Sequence, residues 1–99
     1  MDAEQQLGVS RWAITAETAP GVTMHDSVLG SVLDALIDDP LVILPGVACD
    51  AQGATITATF QVDASLLDAA TDIGIQAFHR ALLAASLEVG CRIADVSPV

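Results

Sequence analysis

The sequence predicts a single α+β domain whose elements follow one another in the order βαββαβ. Segments with alternating apolar and polar residues, typical of half-buried strands, neighbour segments with apolar residues at three- and four-residue spacing, typical of amphipathic helices. The chain has 99 residues, 53% of them hydrophobic, which suffices for one domain with its own core. The domain is expected to span residues 1–99, with residues 1–7 as a flexible leader.

The first strand is expected over residues 9–19, where alternate positions are apolar. Its apolar face would consist of Trp12, Ile14 and Ala16. Pro20-Gly21 would end the strand, because proline fixes φ and glycine tolerates positive φ. A helix capped by Asp26 or Ser27 would follow and end at Asp39-Pro40, since the residue before proline is pushed out of the α region. The apolar stripe of this helix would be Val28, Leu29, Val32, Leu33, Leu36 and Ile37.

The second strand, over residues 41–50, is interrupted by Pro45-Gly46. This interruption predicts an edge strand or a bulge, because proline cannot donate a hydrogen bond to a ladder. A turn over residues 50–53 leads into the third strand, which has the cleanest alternation in the chain. The apolar face of this strand is predicted to be Ala54, Ile56, Ala58, Phe60 and Val62.

A second helix of about 20 residues is expected to start from a cap at Asp63 or Ser65. Its apolar stripe would be Leu66, Ala70, Ile73, Ala77, Phe78, Ala81 and Leu82. Gly74 indicates a close contact between helix and sheet, because glycine otherwise costs a helix about 1 kcal/mol relative to alanine. The last strand, over residues 87–96, would be stopped by Pro98. One of its faces would carry Val89, Cys91 and Ile93.

Two right-handed crossovers joined by a hairpin predict the ferredoxin-like arrangement. This is a four-stranded antiparallel sheet of order 4-1-3-2 with both helices on one face. The first and third strands, which alternate best, would be central, and the strand with Pro45 would be outermost. Cys49 and Cys91 would then lie on opposite edge strands, too far apart for a disulfide.

The charge balance argues against nucleic acid and membranes as partners. The sequence has thirteen carboxylate side chains and only three arginines, so the net charge is −10. Such a field repels phosphate backbones and anionic lipid surfaces. The longest apolar run, residues 41–45, is far shorter than a membrane span of about 20 residues, and the polar N-terminus is unlike a signal peptide. We therefore expect a cytoplasmic protein with reduced thiols.

The sequence contains no catalytic, metal or nucleotide motif. Carboxylates stand four residues apart in two places, Asp34 with Asp38 and Asp68 with Asp72. They lack the spacing of a cation-binding loop, so solvated acidic faces are expected. Exposed histidines at His25 and His79 and packed thiols at Cys49 and Cys91 are expected in place of a thiolate–imidazole pair. No cofactor is expected.

One short motif resembles a known family. Pro20-Gly21-Val22, placed between a strand and an apolar helix, is similar to the Pro-Gly turn of ACT domains. ACT domains are ferredoxin-like modules that bind amino acids at helix–strand junctions between subunits. The resemblance implies that Pro20 and Gly21 form a ligand-binding turn. The helix starts several residues later here than in that family's pattern.

The sheet face opposite the helices is the candidate interaction surface. It would carry Arg11, Ala13, Thr15, Glu17, Thr55, Thr57, Thr59 and Gln61. Such a face is compatible with dimerisation or a bound partner, and equally with a plainly solvated antiparallel sheet. Exposed strand edges offer a second route to association. The candidate interface residues are Arg11, Thr15, Thr55, Thr57, Thr59 and Gln61.

Three functions follow from these patterns. The first is a non-enzymatic interaction or structural protein that acts as a homodimer, with a further protein partner allowed by the acidic charge. The second is an ACT-like regulatory domain that binds a small molecule at a subunit junction. The third is a small enzyme of the dimeric α/β-barrel type, although the chain offers few aromatic or histidine residues to line a pocket.

Overall fold

The computed structural model describes residues 9–23, 27–50 and 52–99. The predicted leader at residues 1–7, His25 and the proposed cap Asp26 lie outside the described residues. The elements are β1 (Ser10–Thr18), α1 (Val28–Asp38), β2 (Ile43–Asp50), β3 (Thr55–Ala64), α2 (Leu67–Ala84) and β4 (Cys91–Pro98). Neither helix in these ranges is long and apolar enough to cross a bilayer.

The structure is α+β, with one four-stranded antiparallel sheet and two helices, and is compatible with a ferredoxin-like fold. The strands lie in the order β2-β3-β1-β4, which read from the β4 edge is 4-1-3-2. The centre of the sheet is the β1–β3 pair, in which Ile14 lies opposite Phe60 and Ala16 opposite Ala58. The strand with Pro45 is an edge strand, as the proline predicts.

The core lies between the two helices and one face of the sheet. Helix α2 packs on β1, β3 and β4, whereas α1 packs on β2 and on α2. The largest fully buried side chains are Phe78, Ile14, Leu36, Ile56, Leu82, Val28, Val32 and Val62. Phe60 is 2% exposed and belongs to the same core, which confirms the face predicted for β3. The period-2 pattern therefore determined which side of this strand is buried.

Two residues predicted on apolar stripes are exposed. Ile37 is 59% exposed, because it follows the buried Leu36 by about 100° around the helix, beyond the core-facing arc. Leu66 is 67% exposed, because it occupies the N-cap of α2 in an extended conformation and not a helical position. Both errors lie at the ends of the predicted stripes, where a displacement of one residue moves a side chain out of the core.

The predicted caps of α2 were also wrong. Strand β3 continues to Ala64, so Asp63 is a strand residue, and the N-cap is Leu66 in place of Asp63 or Ser65. Two contacts with β1 hold this extension in place. Arg11 binds Asp63, and the indole Nε1 of Trp12 donates to the carbonyl of Ala64 at 3.0 Å.

The edge strands are irregular. The register of β2 shifts between Ile43 and Gly46, and Leu44 within that interval has φ of 51°. Strand β4 begins at Cys91 and not at residue 87 as predicted, and it includes Pro98, which was predicted to stop it. Its register shifts as well, since the neighbours Thr15 and Ala16 pair with residues 95 and 93 and leave residue 94 as an extra one. Both edges therefore carry a β-bulge.

Candidate functional site: the open sheet face and the adjoining cleft

The face of the sheet turned away from the helices, here called the open face, is organised in five rows across the strands. The rows are Thr55–Asp50, Arg92–Glu17–Thr57–Ala48, Asp95–Thr15–Thr59–Gly46, Ser97–Ala13–Gln61–Ile43 and Arg11–Asp63. Within the described residues, the helices contact only the other face. The open face is therefore a surface that the fold leaves uncovered.

The side chains at the centre of the open face are small, and the surface there is flat. Thr15 and Thr57 are half-buried by their neighbours, and Thr59 is exposed. A β-carbon on Gly46 would lie 3.5 Å from the Thr59 hydroxyl, so the strands carry short side chains in close lateral contact here. Threonines on neighbouring strands form a flat surface that a second flat surface can approach closely.

Ion pairs lie at both ends of the open face. Arg11 Nε donates to Asp63 Oδ1 at 2.9 Å, and its Nη2 to Oδ2 at 3.3 Å. The hydrogen bond from Arg11 lowers the pKa of Asp63 and in return raises the pKa of Arg11. At the opposite end, Arg92 binds Glu17. The positive charges of this face are thus already neutralised within it.

All of the predicted interface residues lie on the open face, which the strand registers bring together. The prediction missed Asp63 and every member from β2 and β4, among them Asp50, Arg92 and Asp95. Asp63 was interpreted as a helix cap, and the β4 residues were missed because the bulge breaks the alternation that identifies a strand face. The β4 members could have been recognised in the sequence, because the charged residues Arg92 and Asp95 each stand between apolar neighbours.

Pro20-Gly21 forms a sharp turn beside the end of the open face. Gly21 has φ of 96°, a conformation that favours glycine. The turn is held on both sides, because Ala19 donates its N–H to the carbonyl of Gly90 at 2.8 Å and Val22 donates to Ala54 at 2.9 Å. An open cleft of about 520 Å³ adjoins it. The cleft is lined by Glu17, Thr18, Ala19, Pro20, Thr55, Gly90, Cys91 and Arg92.

The reactive groups near this cleft are not activated. Burial raises the pKa of the Cys91 thiol, which favours the unreactive protonated form. The buried hydroxyl of Thr18 accepts a hydrogen bond from the N–H of Ile56 at 2.9 Å and so serves to join β1 to β3. Elsewhere, His79 is exposed. Cys49 is exposed as well, so the prediction of a packed thiol was wrong there, because Cys49 lies on the edge strand β2. Among the described residues, no three His, Cys, Asp or Glu side chains come together as a metal site would require.

Comparisons with known proteins add little. No protein-family model matches the chain, and none of the curated proteins matches it. Among solved structures, the chain is similar to the uncharacterized protein TM1266 from Thermotoga maritima, with 13% identity and a TM-score of 0.45. The match covers 92% of this chain and 98% of that chain. We draw no functional inference from a likeness at this level.

Proposed function

We propose that the protein is a non-enzymatic interaction module that forms a homodimer through its open face. One observation carries the proposal: the central rows of this face consist of small, mostly uncharged side chains in a chain of net charge −10. Two copies of so acidic a chain repel each other. They associate most readily through the surface that contributes least to the repulsion.

The charges of the open face support this choice. Across its five rows, Arg11 and Arg92 stand against four carboxylates, which leaves two net negative charges. By contrast, α1 and α2 with the cap residue carry five aspartates and a single arginine. These residues are Asp34, Asp38, Asp39, Asp68, Asp72 and Arg80. A contact between helix layers would therefore oppose much more negative charge than a contact between sheets.

The sheet edges are poorer interfaces than the face. On the β2 edge, Pro45 lacks an N–H and Leu44 has left-handed backbone geometry within the bulge. On the β4 edge, the bulge at residue 94 interrupts the row of backbone groups. Bulges and prolines at edges are features that prevent strand pairing between chains. These irregularities favour association through the face.

The dimensions predict a modest affinity. Four strands about 4.8 Å apart and seven residues of about 3.3 Å each give a face of roughly 19 Å by 23 Å. About 400 Å² per subunit in projection is small beside the roughly 800 Å² of a typical stable interface. We therefore expect a dimer that dissociates in the micromolar range.

Sedimentation velocity over a concentration series tests the proposal. Thr59→Arg places a charge at the centre of the open face, and burying it without a partner should abolish the dimer. Gln76→Arg is the matched control, because it makes the same charge change at an exposed position of α2. A wild-type chain that stays monomeric up to about 200 μM, well above a micromolar dissociation constant, would contradict the proposal. A dimer that Thr59→Arg leaves intact would do the same.

A second candidate is small-molecule binding at the cleft beside Pro20. The observation that favours it is the rigidly held turn at Gly21 next to an open cleft that contains Arg92. By the resemblance to ACT domains, the ligand would be an amino acid, whose carboxylate Arg92 could bind in exchange for Glu17. A binding amino acid at about 100 times its dissociation constant should raise the melting temperature by more than about 4 °C.

The control for this candidate is a variant of a second arginine. Arg92→Ala should abolish the shift, and Arg11→Ala should preserve it, because Arg11 lies on the same face and does not line the cleft. If none of the twenty amino acids shifts the melting temperature, this candidate fails and the dimer proposal is unaffected. The cytoplasmic location, the single domain and the lack of nucleic-acid or membrane partners remain predictions from composition.

A further inference from the structure

The charged residues at the C-terminal end of helix α1 have the sign that the helix dipole disfavours. The first turn holds no acidic residue and the last turn no basic one. Instead Asp38 occupies the last turn and Asp39 the C-cap. Because a helix C-terminus carries partial negative charge, cations are the groups that stabilise it, and carboxylates destabilise it. Local departures from such rules are expected where a surface serves function more than stability.

A groove opens between α1 and α2 beside this C-terminus and is here called the helix groove. Its volume is about 600 Å³. It is lined by Ala35, Asp38, Asp39, Pro40, Leu41, Arg80, Ala81 and Ala84. The two helices contribute only alanines as apolar lining, so they leave room for larger side chains from outside. Leu41 adds apolar surface at the rim and is 52% exposed.

The arginine in the groove is already engaged. Arg80 Nη2 lies 2.9 Å from Asp39 Oδ2, and only 10% of the Asp39 side chain is accessible. Burial alone would raise the pKa of Asp39. The hydrogen bonds from Arg80 and from the Leu41 N–H, with the charge of Arg80, outweigh burial and lower that pKa. Asp38, in contrast, is exposed at the mouth of the groove. The groove therefore combines an apolar floor with a negative rim.

We propose that the helix groove binds a basic amphipathic helix of a partner protein. Apolar side chains of the partner would fill the space above Ala35, Ala81 and Ala84. A lysine or arginine beside them would neutralise Asp38 and the carbonyl end of α1.

A second copy of this chain does not fit that description. The chain contains no lysine, and its three arginines, Arg11, Arg80 and Arg92, lie on three different elements and so form no cationic helix face. The occupant must therefore supply a cationic segment that this chain lacks. The inference is independent of self-association, because the open face lies on the other side of the sheet.

A pair of isomeric peptides provides the test. The probe is a fluorescein-labelled helix of leucine and lysine with all leucines on one face, and the control has the same composition without that segregation. Fluorescence anisotropy at physiological ionic strength measures both. We expect the amphipathic peptide to bind at least about tenfold more tightly, because only it can place leucines in the groove while its lysines face the rim.

Three variants locate the binding site. Ala84→Trp fills the groove and should weaken binding by about tenfold or more, a loss comparable to removing a buried anchor side chain. Asp38→Asn should weaken it by about threefold to fivefold, the range expected for one charge at a helix end. Asp72→Asn removes a carboxylate of α2 outside the groove lining and should bind like the wild type. Circular dichroism verifies that each variant is folded.

Several results would overturn the inference. Equal binding of the two peptides, or equal effects of Asp38→Asn and Asp72→Asn, would show only a general attraction of cations to an acidic protein. Tight binding to Ala84→Trp would place the peptide elsewhere. If Ala84→Trp instead dissociated a wild-type dimer in sedimentation, the occupant would be a second copy and not a basic partner.

Discussion

Gly74 of α2 lies so close to Ile14 of β1 that a β-carbon on residue 74 would stand 3.0 Å from the Ile14 Cγ2 atom. Ile14 is 1% exposed and packed on all sides, so it has little freedom to move away. The absence of a side chain at residue 74 therefore sets how closely the helix approaches the sheet. The low helix propensity of glycine is the cost of this approach.

A pair of glycine substitutions checks this relationship. Gly30→Ala in α1 should raise the free energy of unfolding by about 1 kcal/mol, because nothing lies within 4 Å of the added carbon. Gly74→Ala makes the same chemical change but should lower it, because the clash with Ile14 outweighs the gain in propensity. Urea denaturation of both variants measures the difference. Stabilisation by Gly74→Ala would show that the helix can move away without loss.

Phe60 should be a core anchor of the sheet. It is 2% exposed on β3, among Ile56, Ala58 and Val62 on the same face. Phe60→Ala should lower the free energy of unfolding by about 3–5 kcal/mol, because small neighbours cannot close the cavity. Thr57→Ala on the open face is the control and should change it by well under about 1 kcal/mol. Equal effects of the two in urea melts would contradict the assignment of faces.

The Arg80–Asp39 pair should contribute to stability in a pH-dependent way. The folded-state pKa of Asp39 lies below its ordinary value of 3.8. The contribution is thus complete above pH 3.8 and is lost as the pH falls through the lower folded-state pKa. Asp39→Asn should therefore lower stability at neutral pH and flatten its decline in acid. Asp34→Asn, which removes an exposed carboxylate of the same helix that is not paired with Arg80, is the charge-matched control. Thermal melts at several pH values compare the two variants.

The two thiols should react separately and never form an intramolecular disulfide. Cys49 is on β2 and Cys91 on β4, at opposite edges of the sheet. Three strand spacings are about 14 Å, twice the roughly 7 Å that a disulfide spans. Ellman's reagent should show a fast phase from the exposed Cys49 and a slower one from Cys91, whose raised pKa leaves less thiolate. Cys91→Ser should remove only the slow phase; a single thiol-free oxidised monomer would refute the prediction.

The sequence predicted those parts of the fold that are encoded by local periodicity. Residues 56–62 alternate strictly, and the structure buries that apolar face. The helical stripes were right in their middles, at Val32 and Phe78, where a helix faces the core over several turns. Local pattern is sufficient there because each position is reinforced by its neighbours at the same period.

What the sequence could not predict depends on contacts between distant residues. Asp63 looks like a helix cap in isolation, and only its partner Arg11, 52 positions away, makes it a strand residue. The open face was predicted for β1 and β3 but not for the edge strands β2 and β4, because the bulge in each edge strand interrupts the alternation that identifies a strand face. The helix groove was missed since nothing local indicates that Arg80 reaches Asp39, 41 positions away.

The extra residue in β4, Ala94, interrupts the regular alternation of side chains between the two faces of the sheet. Before it, Arg92 faces outward and Ile93 inward; after it, Asp95 faces outward and Val96 inward. Ile93 and Asp95 are two positions apart, a spacing that strict pleating would place on the same side. Deleting Ala94 would leave these sides unchanged, because Ile93 and Asp95 would then be direct neighbours on opposite faces. If Ala94 were kept but the bulge became regular strand, Asp95 would point at the helices and Val96 at water. The backbone conformation at the bulge thus decides whether the last residues of β4 present their carboxylate or their valine to the core, although the bulge itself contributes no side chain to the core.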